Sequence, residues 1–492
     1  MKGLYGQSLA LLTDLYQLTM AYGYWKLGLA EREACFHLTF RSNPFHAGYS
    51  LACGLHDAVD YLTDLRFDES DVAYLESLKG NDGGPLFEDR GFLDHLRALR
   101  FTCDLDAIPE GTPVFPYEPL LRVTGPMLQA QLVETPLLTI VNFQTLIATK
   151  ASRVCFAAQG EPVLDFGLRR AQGIDGGITA SRAAYVGGAE ATANVLAGKL
   201  FDIPVRGTHA HSWVMAFDDE LEAFEQYARV MPNNCVFLVD TYNTLDGVRH
   251  AARVGCELKK TGHKLVGIRL DSGDLAYLSI ESRKILDDTG LHETTILASN
   301  ELDEHLIASL KQQGAKITVW GVGTKLATGG DQPALGGVYK LSALKDAEGR
   351  WEPRIKRSEQ AAKSSVPGIQ QVRRYLNASG QFVGDAIYEV GAELGGEVTI
   401  ISPTDITRRK TFARGTSHED LLVPILRRGQ LVYDRPSLRD IRRRGTEQLA
   451  KLHPTIRRLD NPHAYPAGLE ERLFELRTRM LLAPLKSGED EG

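Results

Sequence analysis

The sequence has no C-x-x-C pair, no excess of basic residues and no apolar run long enough to cross a bilayer. Each absence closes a class of explanation. Its six cysteines, Cys35, Cys53, Cys103, Cys155, Cys235 and Cys256, are scattered, so neither a disulfide framework nor a zinc site is written into their spacing. Lysine and arginine total 56 against 63 acidic residues, a net charge of −7, which offers nucleic acid no global field and leaves a small molecule as the expected partner. No stretch approaches the roughly 18 apolar residues of a spanning helix. The start offers Lys2 and a short apolar patch, but Asp14 interrupts it and no small-residue cleavage site follows. A cytoplasmic, membrane-free protein of a reducing compartment is expected.

What is present suits a large globular chain. At roughly 150 residues per domain, 492 residues suggest two or three domains. With 43% apolar and 24% charged residues, the chain can bury a core without disulfide staples. Asp14 reads as a helix cap, and Leu15, Leu18, Tyr22 and Trp25 follow at the spacing of a buried helical face, with Tyr16, Met20 and Tyr24 on a neighbouring one. From about 60 to 100 the pattern is charged and helical, broken by the Asn81 to Pro85 turn. The strand-like runs Thr112 to Phe115 and Leu120 to Val123 come next. Residues 1–135 are therefore expected to form an α+β domain.

Between about 160 and 345 the texture changes to short continuous apolar runs, mostly followed by helical segments. They are Val163 to Phe166, Pro204 to Gly207, Val236 to Val239, Leu265 to Ile268, Thr295 to Ala298, Ile317 to Trp320 and Gly337 to Tyr339. Continuous runs are what buried parallel strands need. Units recurring every 20 to 40 residues or so fit a (β/α) barrel over 136–350 better than an open doubly wound sheet. No G-x-G-x-x-G fingerprint supports the open sheet, since Gly321-Val322-Gly323-Thr324 lacks the final glycine and the acidic residue beyond it. Residues 351–492 form an Arg-rich segment that either stands alone or folds back on the first domain. Its run Arg439, Arg442, Arg443 and Arg444 reads as a solvated helix face, and the tail from Ser487 to Gly492 as frayed.

Function in a barrel collects where strands end. The residues following the runs include Arg169 and Arg170, then Thr208, His209 and His211, then Asp240 to Asn243. Arg269, Asp271 and Asp274 follow, then Ser299 to Glu301, and Gly321 to Lys325. Arginine forks bind carboxylate or phosphate, glycine turns present N–H groups to phosphate, and aspartates hold sugar hydroxyls or a bridging Mg²⁺. The inventory suggests a phosphorylated sugar. Each element also has a plainer reading: Arg169 and Arg170 as surface ion-pairing residues, Asp271 and Asp274 as helix caps, and Gly321 to Thr324 as a turn. The two histidines are expected on one side of an extended segment, where a lone one reads as structural.

These segments resemble a known family. Thr13 to Gln17, Phe166 to Gly173, Gly207 to Ser212, Arg269 to Asp274, Gly321 to Thr324, Leu335 to Leu341 and Asn461 to Pro466 are similar, in that order, to nicotinate phosphoribosyltransferase. The resemblance covers essentially the whole chain. It implies an irregular α/β barrel of the type II phosphoribosyltransferase kind beside an N-terminal α+β domain, assembled as a homodimer with shared active sites. It also implies transfer of phosphoribose from phosphoribosyl pyrophosphate to nicotinate, giving nicotinate mononucleotide and pyrophosphate, with ATP as co-substrate and Mg²⁺ as cofactor. His211 matches the histidine that becomes a phosphohistidine by attacking the γ-phosphate of ATP, and His209 occupies a variable position. Thr208 and Arg269 match nicotinate-site positions, Tyr16 an aromatic stacking on the pyridine from the partner subunit, and Arg169 a position near pyridine and phosphoribosyl groups. Asp271 is expected on the ribose hydroxyls, and Thr324 with Gly336 and Gly337 at the 5′-phosphate. The metal ligands are not identified.

Further absences bear on the rivals. No Walker-type loop accounts for ATP. The acidic pair of the other phosphoribosyltransferase fold is missing, as Asp287-Asp288 precedes Thr289-Gly290 and reads as a helix end. The sister activity on nicotinamide and an idle binding relative remain as alternatives, the first disfavoured by an Arg-rich pocket that prefers a carboxylate. An aldolase-type barrel needs a strand-end lysine, for which only Lys325 and Lys340 are at hand.

Overall fold

The continuous apolar runs form parallel strands, because residues buried on both faces of a sheet must be apolar at every position. The computed structural model describes residues 8–360 and 363–483; Lys2 and the segment Ser487 to Gly492 lie outside them. The chain divides into two units, Ile147–Pro333 and the flanking Met1–Leu146 with Ala334–Gly492.

In the unit of residues 147–333 the strands are β1 (Val163–Asp165), β2 (Ala191–Thr192), β3 (Val236–Leu238), β4 (Gly267–Leu270), β5 (Thr295–Ala298) and β6 (Val319–Val322). All neighbours are parallel, in the order β2-β1-β6-β5-β4-β3. Helices Gly173–Val186, Val195–Phe201, Thr244–Lys260, Leu275–Asp288 and Glu304–Gln312 follow β1 to β5, so the (β/α) alternation expected of the barrel is present. The Pro204 to Gly207 run adds a single parallel bridge, Thr192 to Val205, rather than a full strand; Pro204 has no N–H to donate to a ladder.

Closure at that margin falls to a side chain. The main-chain N–H of Leu238, on β3, donates to His209 Nε2 at 3.2 Å. An acceptor at Nε2 puts the ring proton on Nδ1, which sits 3.2 Å from the Ala210 carbonyl. The ring is buried against Phe224, Tyr227 and Phe237, and burial pushes its pKa down. Elsewhere in this unit Glu304, opening its helix, is buried with Lys150 and Arg153 at 2.5 and 2.8 Å. Burial alone raises its carboxyl pKa, but the two cations outweigh that and hold it below the ordinary value.

The other unit is α+β. A seven-stranded antiparallel sheet runs Trp351–Pro353, Val338–Lys345, Glu33–Thr39, Leu121–Pro126, Asp104–Ala107, Val423–Arg427 and Gln430–Leu431. Leu38, Leu105 and Val123 share one core with Leu426, Leu469 and Leu473, so early and late segments of the chain are packed together. A second, six-stranded sheet includes Gln370–Leu376, Phe382–Glu389, Val398–Ile401, Arg409–Phe412 and Ala467–Glu470.

Three expectations are corrected here. Gly337 to Tyr339 does not start a barrel strand: Val338–Lys345 pairs antiparallel with Glu33–Thr39, and its polar Lys340 and Ser342 belong to a strand whose two faces differ. In helix Leu15–Lys26, Leu18 is buried but Leu15 is 54% exposed, and Tyr22 and Trp25 pack against Phe92. Asp14 occupies the cap position without capping; it accepts from Thr135 Oγ1 at 2.8 Å. Among the remaining small readings, α-helices Leu55–Asp64, Glu69–Ser77 and Arg90–Ala98 cover the charged stretch and Asp288 ends its helix; Arg439 to Arg444 lie on helix Leu438–Ala450, but not all on a solvated face, since the half-buried Arg444 donates from Nε to Thr112 Oγ1 at 3.2 Å.

His209→Phe keeps the aromatic volume but leaves the Leu238 N–H unanswered, which should cost about 1–3 kcal/mol. Because the folded imidazole titrates below its unfolded value near 6.5, its neutral form stabilises the fold above that pH, and the contribution fades as pH falls toward the folded value. Denaturant unfolding at pH 8 and at progressively lower pH should therefore show a loss in the wild type that the variant lacks. Equal stability of the two proteins at pH 8 contradicts the seam.

Candidate functional site

Every strand end of the parallel sheet carries a polar group, and most of these engage one another. Arg269, at the end of β4, spreads its guanidinium over three partners: Nε donates to Ser299 Oγ at 2.8 Å, Nη1 to Thr208 Oγ1 at 3.0 Å and Nη2 to Asp271 Oδ1 at 2.9 Å. The Phe166 ring lies 5.4 Å from the guanidinium carbon, within cation–π range. Ser299 also donates to Asp271 Oδ1. Three of five N–H groups are thereby committed, leaving one on each of Nη1 and Nη2, the fork that a planar carboxylate accepts.

Asp271 links this arginine to a histidine. Its Oδ2 is 3.9 Å from His211 Nε2, while His211 Nδ1 is 3.1 Å from Thr241 Oγ1. The His211 side chain is 41% exposed and opens the short helix His211–Val214. His209 and His211 thus differ in surroundings: the first is a seam residue, the second faces a carboxylate at the mouth. Beneath Asp271, the Asp240 Oδ2 accepts from the Asp271 N–H at 3.0 Å and from Ser272 Oγ at 2.6 Å. Asp240 Oδ1 is buried without a hydrogen-bond partner among the described residues.

The loops after β1 and β6 pack closely. A Cβ on Gly167 would meet Ala327 Cβ at 2.4 Å, and one on Gly321 would meet the Phe166 ring at 2.7 Å. Asp165 fixes the first loop by accepting from Gly167 N–H at 2.9 Å and Thr192 Oγ1 at 2.8 Å. Arg169 and Arg170 lie exposed on the turn Leu168–Arg170, their side chains with no hydrogen bond or ion pair among the described residues. Thr324 donates to Glu301 Oε1 at 3.2 Å; Glu301 and Asn300 both hold positive φ, 33° and 92°, strain of the kind that collects at functional loops.

The structure therefore gathers Thr208, His211, Arg269 and Asp271 directly, with Arg169 and Thr324 on flanking loops. Tyr16, Gly336 and Gly337 belong to the other unit. There Tyr16 is 47% exposed beside Leu15 and Met20, and a Cβ on Gly337 would fall 2.1 Å from Asn142 Oδ1. Asp274 caps its helix through the Tyr277 N–H at 3.0 Å, as its plainer reading held. Lys325 and Lys340 are ion-paired with Asp331 and Glu134 at 3.4 and 3.8 Å, which leaves no poised strand-end amine. Asp240, Thr241 and Ser299, which the sequence places at the mouth without giving them a role, complete the network together with Phe166, whose one signal in the sequence was position at a run's end.

Models of nicotinate phosphoribosyltransferase (NAPRTase) match as the N-terminal domain over residues 11–142, the NAPRTase family over 162–375 and the C-terminal domain over 369–477. A nicotinate phosphoribosyltransferase of Bacillus subtilis is 44% identical over 97% of this chain and 98% of its own length. That of Homo sapiens is 37% identical over 95% of each. The crystal structure of human nicotinic acid phosphoribosyltransferase superposes with a TM-score of 0.83 at 35% identity, covering 95% of this chain and 99% of that one. A nicotinate-nucleotide pyrophosphorylase from Pyrococcus furiosus shares the fold, with a TM-score of 0.68 at 23% identity over 92% and 99% of the two chains. With likeness of this degree running from end to end, and not only through the parallel barrel, the chain belongs to the nicotinate phosphoribosyltransferase family.

Proposed function

We propose that the protein joins nicotinate to the phosphoribosyl group of phosphoribosyl pyrophosphate, releasing pyrophosphate and feeding NAD synthesis. The observation that carries this reading is the Arg269 fork, which keeps two N–H groups for a carboxylate beside an aspartate fit for sugar hydroxyls. A carboxylate takes the fork as a charge-assisted pair, which the neutral amide of nicotinamide cannot do. Thr208 positions the fork from one side and Ser299 from the other, so the acid meets a rigid donor set.

Departure of pyrophosphate leaves positive character on the ribose. The Asp271 carboxylate, already held by Arg269 and Ser299, is placed to stabilise it without reorganising. Arg169, its exposed side chain unpaired among the described residues, is free to draw the phosphates in, and Thr324 serves the 5′-phosphate. ATP enters through His211: the imidazole attacks the γ-phosphate, ADP leaves, and the phosphorylated ring is later hydrolysed to free phosphate. Asp271 orients that ring and couples the histidine to the sugar site.

No group of three or more candidate metal ligands occurs among the described residues, which fits Mg²⁺ held mainly by substrate phosphates rather than in a protein cage. Asp240, with its unpartnered buried Oδ1, and Asp271 are the residues suited to hold it, and the ion supplies charge neutralisation on the leaving pyrophosphate. The exposed Leu15, Tyr16 and Met20 face suits a homodimer in which Tyr16 stacks on the pyridine of a neighbouring subunit's site. The absence of a disulfide among the six cysteines suits a reducing cytoplasm, and no helix among the described residues is long and apolar enough to cross a membrane.

Pyrophosphate release assayed with nicotinate or nicotinamide, with and without ATP, tests the reading: release with nicotinate, stimulated by ATP, is expected, and release with nicotinamide alone refutes it. His211→Ala should abolish ATP hydrolysis and slow phosphoribosyl transfer with circular dichroism unchanged; a variant retaining full ATPase sinks the phosphohistidine. Arg269→Ala removes a contact worth about 1.5–3 kcal/mol, so KM for nicotinate should rise by about one to two orders of magnitude. An unchanged KM moves that arginine out of the pocket.

A further inference from the structure

The segment Asn461 to Pro466 belongs to the family likeness but contributes nothing to the strand-end network. In the unit formed by the flanking segments it makes one wall of a cleft of about 710 Å³, faced by strands Val398–Ile401 and Arg409–Phe412 and the turn between them. That volume is the size of a small-molecule site.

The charge around this cleft is one-sided. Arg408, Arg409, Lys410 and Arg458 line it with His463, and no carboxylate does. Arg408 is held by Asp405 at 3.2 Å. The other three have no ion-pair partner among the described residues: Arg409 Nε donates to the Ile406 carbonyl at 3.1 Å, Lys410 Nζ to the Val383 carbonyl at 2.6 Å, and Arg458 is exposed. Three uncompensated cations converge on one cavity in a protein whose net charge is −7. Their mutual repulsion is unrelieved, and burial disfavours the charge on Lys410; an anion would answer both.

The facing wall is rigid. Tyr465 stacks on Phe115 with ring centroids 3.8 Å apart, and its hydroxyl donates to Asp385 Oδ1 at 2.8 Å. Asp385 is in turn paired at 2.5 Å with Arg374, both fully buried, and Arg374 Nη2 donates to the Pro113 carbonyl at 2.8 Å. Pro462 and Pro466 restrict the backbone on either side of the exposed His463 and Ala464. A second cleft of about 520 Å³ shares Asn461 to Tyr465 and continues to Arg41 and His46, again with no carboxylate in its lining.

From this geometry we propose that the cleft binds a small anion carrying two or more phosphates, gripped by Arg409, Lys410 and Arg458 against the Asn461 to Tyr465 wall. Arginine supplies directed forks and lysine a point charge, the usual pairing for phosphate. The cleft's small volume and the acidic remainder of the molecule favour a compact phosphorylated ligand over a nucleic acid.

The test is titration calorimetry of the full chain with inorganic tripolyphosphate, in an Arg169→Ala, Thr324→Ala background that removes the phosphate-binding side chains of the strand-end mouth. One tripolyphosphate per chain should bind. Adding Arg409→Glu and Arg458→Glu reverses two exposed charges away from the buried Arg374 cluster, and should weaken binding at least about tenfold with the thermal midpoint unchanged. Arg409→Gln with Arg458→Gln should fall between, which guards against a folding defect. Equal binding by the Glu variant, no binding by the parent, or displacement by sulfate at matched ionic strength to the same degree in both proteins overturns the site.

Discussion

The Arg269 guanidinium is the constraint on which the mouth of the barrel depends. It ties the end of β4 to Thr208 and Ser299 on separate loops and to Asp271 two residues on. Lysine could not replace it: an ammonium has no planar fork and cannot keep two parallel donors free once three partners are satisfied. The arrangement also places Asp271 between a cation and a histidine, so any charge developing on His211 is felt at the Asp271 carboxylate. Proximity of this kind couples the two side chains without a conformational relay.

Around that hub the barrel unit mixes strong and weak fastenings. Its strands are three or four residues long at most, with β2 only two, so hydrogen-bond ladders contribute little at any one junction. Side chains supply the remainder: Asp165 binds the β1 loop to β2, Glu304 gathers Lys150 and Arg153, and His209 answers the free edge of β3. Short strands with side-chain ties leave the loops at the strand ends room to diverge while their bases stay fixed, which is where a binding site needs definition.

Much of this was legible in the sequence because burial on both faces leaves an unmistakable continuous apolar run, and the residue that follows it must sit at the mouth. That logic located Thr208, His211, Arg269, Asp271 and Thr324. It failed where partners are distant. The role of His209 depends on Phe224, Tyr227 and Phe237, which no local pattern ties to it. Asp240 matters through the backbone of Asp271, some thirty residues away. The apolar pair Val338-Tyr339 looked like a barrel strand because two residues cannot distinguish continuous from alternating burial; only Lys340 and Ser342 beyond them could. Leu15 kept helical spacing yet stands exposed, since periodicity names a face without saying what covers it.

The unit built from both flanks of the chain has a consequence for synthesis. Strand Glu33–Thr39 needs Val338–Lys345 on one edge, and Asp104–Ala107 needs Val423–Arg427, but the whole of Ile147–Pro333 is made in between. At roughly 5–20 residues per second, the ribosome takes on the order of ten to forty seconds to cross that interval. Throughout it a three-stranded sheet waits with both edges bare, the condition under which nascent chains pair with one another. The barrel's strands all lie within one continuous stretch of chain, so it can be complete first, and the sheet that contains Glu33–Thr39 is among the last parts to settle.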